Sequence, residues 1–87
     1  MKQEELLNVI VKNIRHFRIE RKLSQLELEH LAGLGENSLT NIENHKMKDL
    51  NLSTLNKIAN ALEIKITEFF IKRSKYNNKF RVDAKEK

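Results

Sequence analysis

Apolar residues recur at helical spacing along most of this chain. Leu6, Ile10, Ile14 and Phe17 follow one another at intervals of four and three, and Leu7 and Val11 widen the stripe. That pattern predicts a first amphipathic helix from about Gln3 to Arg21 with a wet, basic opposite face. Ser24 precedes Gln25-Leu26-Glu27, so its hydroxyl can accept from a first-turn amide while Glu27 reaches back, a capping box that starts a second helix. Leu28, Leu31 and Ala32 are its expected buried face, and Gly33 supplies the positive φ that ends it. A third helix is expected from Gly35 or Glu36 to about Asn44, with Leu39 and Ile42 inward and a short polar face outward. Asn51 or Ser53 caps a fourth, striped by Leu52, Leu55, Ile58, Ala59 and Leu62, and Thr67 caps a fifth carrying Phe69, Phe70 and Ile71. Beyond Arg73 the periodicity is lost. The expected architecture is all-α, a compact five-helix domain over residues 1–74. A basic tail over 75–87, with Tyr76, Phe80 and Val82 as its sizeable apolar residues, is expected to be frayed or disordered.

Length and composition narrow what such a fold can do. Eighty-seven residues suit one small module without a cleft between lobes, and the lack of cysteine removes disulfides and thiolate metal sites. The amino terminus carries no secretory pattern, and the longest apolar runs, Val9-Ile10-Val11 and Phe69-Phe70-Ile71, fall far short of the roughly 20 residues of a membrane span. A soluble protein of the cytoplasm is expected, with no attached ligand or protease domain. The net charge of +5 is unevenly placed: residues 1–71 hold ten basic and ten acidic residues, whereas residues 72–87 hold seven basic and two acidic. A polyanion would therefore meet locally arranged charge on the domain and a non-specific contribution from the tail.

Catalytic chemistry has little support. Glu27-x-x-His30 has the spacing of half a di-metal carboxylate site, but no second copy accompanies it. His16, His30 and His45 lie on separate elements without a nucleophile constellation, and no Gly-rich phosphate loop is present. No enzyme activity, cofactor or metal is expected.

The run from Ile14 to Phe70 resembles the lambda-repressor-like helix-turn-helix domains of phage repressors, Cro, xenobiotic-response-element regulators and restriction-modification controllers. The resemblance is carried by Arg18, Leu23-Ser24-Gln25, Leu28, Gly33-Leu34, Leu39, Ile42-Glu43, Leu55, Ile58-Ala59, Leu62 and Phe69-Phe70. It departs at Glu29, where alanine is usual because two helices pack closely, and at His45 and Glu63, where glycine is common. The Glu29 side chain is expected to snorkel out of that contact.

The resemblance implies a helix-turn-helix at helices two and three, with helix three entering the major groove of double-stranded DNA. Glu36, Asn37, Ser38, Thr40 and Asn41 become the candidates for base contact, and Gln25, Asn44 and Lys46 those for phosphate contact. Arg18 and Glu43 become a structural ion pair. One recognition helix reads only a few base pairs, so a homodimer on a palindromic operator is expected. Leu62, Ile64, Ile66, Phe70 and Ile71 are the candidate dimer face. The implied function is transcription regulation at promoter DNA in the nucleoid, with a restriction-modification controller as the leading subfamily. Competing readings are a phage or mobile-element repressor, an antitoxin that also grips a toxin, and a protein-interaction module with secondary DNA binding. A toxin or RNA polymerase is a candidate protein partner.

Overall fold

The computed structural model describes residues 1–47 and 49–76, and these are all-helical. Helix α1 (Gln3–Glu20) carries Glu4 and Glu5 in its first turn and Arg18 in its last, both favourable to the helix dipole. It ends at Lys22, whose φ of 57° is left-handed, with the Leu23 amide returning to the Arg18 carbonyl at 3.1 Å. Helix α2 (Gln25–Ala32) opens on the predicted box: Glu27 N–H donates to Ser24 Oγ at 3.0 Å, and Ser24 N–H to Glu27 Oε1 at 2.8 Å. Gly33 ends it at φ 68°; a Cβ there would meet nothing within 4 Å, so backbone conformation, not space, explains the glycine.

Helix α3 spans only Ser38–Glu43, shorter than its sequence pattern predicts. The reason is Asn37, which turns left-handed at φ 65° and leaves Gly35 and Glu36 in the preceding turn. Helix α4 (Leu52–Leu62) is capped by Asn51, whose Oδ1 accepts from the Thr54 amide at 2.8 Å, and ends on Glu63 at φ 59°. The expected fifth helix is instead a 3-10 turn, Ile66–Phe70, entered from Lys65 with no side-chain cap. Thr67 lies within the turn and does not cap it.

Ile14, Leu28, Leu39, Ile58, Leu62 and Phe69 are wholly buried at the centre of one core to which every element contributes. Two expected core positions lie outside it: Leu31 is 61% exposed and Leu52 is 70% exposed. Leu31 lies three residues after the buried Leu28 but at the end of an eight-residue helix, where Ala32 takes the inward position. Leu52 is the first residue of α4, one turn before the core contact made by Leu55.

The 3-10 turn is strapped to α1 by a buried polar cluster. Asn13 is wholly buried, and its Nδ2 donates to the carbonyls of Phe69 (2.7 Å) and Ile71 (2.9 Å). Its Oδ1 accepts from Arg73 Nη1 at 2.7 Å, while Arg73 also pairs with Glu68 and lies 4.7 Å from the Phe17 ring centroid. Arg73 is therefore part of the architecture rather than of a free basic tail. Tyr76, just beyond the expected domain boundary, stacks edge-on against His16 at 5.7 Å. Lys48 and tail residues 77–87, including Phe80 and Val82, lie outside the described residues.

Candidate nucleic-acid interface

A buried carboxylate holds α3 near each end. Near its carboxyl end, Glu43 is buried and receives Arg18 as a bidentate partner, Nε to Oε2 at 2.7 Å and Nη2 to Oε1 at 2.9 Å. Arg18 has no solvent exposure and also donates Nη1 to the Leu23 carbonyl at 2.8 Å. Arg15 Nη1 reaches Glu43 Oε1 at 3.2 Å, and Gln25 Nε2 donates to the same oxygen at 3.1 Å. One carboxylate on α3 thus gathers side chains from α1 and α2, with charge-assisted bonds carrying most of the strength.

At the amino end the contact comes from Glu29, which does not snorkel. It is 4% exposed, and its Oε2 accepts from the Leu39 amide at 2.9 Å. A long side chain is accommodated in the tight α2–α3 contact because it finds a backbone donor there.

Gln25 and Thr40 bridge the two helices. Thr40 Oγ1 donates to Gln25 Oε1 at 3.0 Å while Gln25 Nε2 reaches Glu43. A primary amide has two N–H groups, so this arrangement leaves Gln25 one side-chain N–H for an anion; Thr40, having committed its hydrogen, offers further partners only acceptor lone pairs. Glu36 and Asn37 are exposed on the turn entering α3, and the Asn37 side chain makes no capping bond. Ser38, Thr40 and Asn41 are half-buried along the helix. Asn44 and Lys46 are exposed just past its end, where His45 turns left-handed at φ 59° and the Lys46 amide returns to the Asn41 carbonyl at 3.0 Å. The side chains singled out for bases and phosphates thus occupy one continuous stretch of chain, residues 36–46, with Gln25 tied to it.

The candidate dimer residues separate. Ile64 and Ile66 are half-buried, Phe70 is 39% and Ile71 47% exposed, whereas Leu62 is wholly buried and has no surface to give a partner. Leu62 therefore supports that region from inside the core.

Sequence reasoning missed Asn13, Arg15 and Arg73 as network members and assigned Glu29 to the surface. Asn13 had a readable signal: it lies four residues before Phe17 and four after Val9, inside the apolar stripe, where a polar side chain needs buried partners. Arg15 had none, since its partner Glu43 lies 28 residues away in sequence, and the proximity of Glu68 to Arg73 gave no hint of the contact with Asn13 60 residues away.

Among the described residues no group of three or more His, Asp or Glu side chains could hold a metal ion, and no helix is long and apolar enough to cross a membrane. The model of the Cro/C1-type helix-turn-helix DNA-binding domain matches residues 13–72, from the buried Asn13 to just past Ile71. A solved structure of a hypothetical transcription factor, NHTF from Neisseria, is similar to this chain with a TM-score of 0.74 at 26% identity, covering 83% of this chain and 82% of that one. No curated protein matches the chain. With the family model spanning most of its length and every described element of the core beyond the first turns of α1, this chain belongs to the Cro/C1-type helix-turn-helix DNA-binding family and is a helix-turn-helix transcriptional regulator.

Proposed function

We propose that α2 and α3 form the helix-turn-helix and that α3 reads bases in the major groove, with the protein acting as a homodimer on a palindromic operator. The observation that carries this reading is the bracing of α3. A six-residue helix is too short to hold itself in water, yet it is pinned through Glu43 and Glu29 while Ser38 and Asn41 keep their polar groups and Thr40 keeps its acceptor lone pairs for a partner. Asn37 and Asn41 supply amides suited to adenine, and Ser38 adds a hydroxyl. Thr40 acts as an acceptor, suited to an adenine or cytosine amino group, because its proton is given to Gln25. Glu36 accepts from cytosine. Gln25, Asn44 and Lys46 anchor to phosphates.

Phe70 and Ile71, with the edges of Ile64 and Ile66, form the dimer face. Its support is two adjacent exposed apolar side chains on a segment whose backbone Asn13 holds on both sides of Phe70. The protein works as a regulator in the nucleoid, without catalysis, with a restriction-modification controller as the leading subfamily. A neighbouring methyltransferase gene would support that assignment; a neighbouring toxin gene would replace it with an antitoxin role, and a phage context with a repressor role.

Selection from random DNA with the purified protein tests this reading. A two-fold symmetric site with binding that weakens steeply as salt rises supports it. Weak, sequence-indifferent binding would instead favour a protein-interaction module.

A further inference from the structure

We propose that Glu29 is a positioning residue for base recognition, setting the angle at which the first turn of α3 presents Asn37, Thr40 and Asn41. The inference rests on the reading of α3 as the recognition helix.

Three observations converge on it. Helices normally satisfy their first amides with a side chain at the residue just outside them. In α3 that residue, Asn37, is left-handed and makes no such bond. The acceptor comes from another helix, as Glu29 Oε2 takes the Leu39 amide at 2.9 Å. Both residues are buried, Leu39 completely, so water cannot substitute for the carboxylate if it is removed. The negative charge also lies where the α3 dipole favours it.

The second fixed point of α3 is Glu43, gripped mainly from α1. With α1 holding one end and α2 the other, the tilt of this short helix depends on both. Leu39 lies between Asn37 and Thr40, so a change in its anchorage moves those side chains first. Glu29 thereby does more than brace the fold, because loss of its reach should alter which bases are preferred as well as how stable the domain is. Reach is the critical property: aspartate keeps the charge but is one methylene shorter, and glutamine keeps the length and a carbonyl acceptor.

The test compares the parent protein with Glu29→Gln, Glu29→Asp and Glu29→Ala. Fluorescence anisotropy at fixed salt, at a temperature where circular dichroism shows each variant folded, gives the ratio of Kd for scrambled DNA to Kd for the selected site. Loss of one well-aligned base contact is worth about tenfold in that ratio. Glu29→Gln is expected to keep the ratio within about threefold, whereas Glu29→Asp and Glu29→Ala lower it about tenfold or more while scrambled DNA binds as before. Exchange of the Leu39 amide should quicken in the Asp and Ala variants. A Glu29→Asp ratio equal to the parent's overturns the proposal, whether or not Glu29→Ala folds. A parent ratio near one overturns the underlying DNA reading and this inference with it, and the failure is then visible in the parent rather than in a variant.

Discussion

Arg18 and Glu43 join α1 to α3 as a bidentate pair with no solvent around the guanidinium, at 2.7 and 2.9 Å. Truncating one member of such a pair strands the other, at a cost of about 3–5 kcal/mol. Glu43→Ala should therefore lower the urea midpoint sharply. The double variant Arg18→Met/Glu43→Leu should lose much less than the two single changes combined, because no buried charge is left alone. Additive losses would mean that the two residues act independently.

Gln25 and Lys46 are both assigned to phosphates, yet salt should separate them. Lys46→Ala removes a cation and should reduce the slope of log K against log salt by about one. Gln25→Ala removes a neutral amide, so affinity should fall with the slope unchanged. Equal slopes for the parent and the Lys46 variant would remove Lys46 from the interface.

Lys22, Asn37, His45 and Glu63 turn left-handed without being glycine. His45 and Glu63 both sit at φ 59°, a conformation that costs a residue with a Cβ about 1–2 kcal/mol and glycine very little. Glycine's greater freedom in the unfolded chain offsets part of that, so His45→Gly should stabilise by about 0.5–1 kcal/mol. Glu63→Gly should gain less, since it gives up the exposed contact with Arg21 at 3.1 Å. Thermal unfolding measures both, and destabilisation by His45→Gly would contradict this account of the turn.

These turns also show what a single sequence conveys. Ser24 and Glu27 announce their capping box because both partners lie three residues apart, and Gly33 announces its turn by being glycine. His45 and Glu63 take the same backbone shape, marked in the sequence only by the family resemblance, which puts glycine there. Leu31 and Leu52 fit a helical period yet face away from the core, which Ala32 and Leu55 meet instead. The third helix reads longer than it is because nothing in Glu36-Asn37-Ser38 forbids helix; the left-handed Asn37 is seen only in three dimensions. In the candidate interface, Arg18 and Glu43 were legible through family resemblance, whereas Glu29 was misread because its acceptor role depends on an amide supplied by another helix.

The dimer face can be probed from two sides. Phe70→Asp places a charge on the exposed apolar pair and should give a monomer by light scattering. Asn13→Ala leaves Phe70 in place but removes the bonds to the Phe69 and Ile71 carbonyls, so it should weaken dimerisation as well as stability. Parent and Phe70→Asp proteins of equal molar mass would remove this surface from the dimer.

On the proposed reading this nearly neutral domain recognises DNA through particular side chains at and within α3 rather than through bulk charge. The most direct measurement is the Kd ratio between a scrambled duplex and the selected site for the parent and for Asn37→Ala/Asn41→Ala. The parent ratio should be about a thousand or more and fall by about tenfold or more in the double variant, with scrambled binding unchanged. A ratio near one in the parent, or an undiminished ratio in the variant, would contradict that reading.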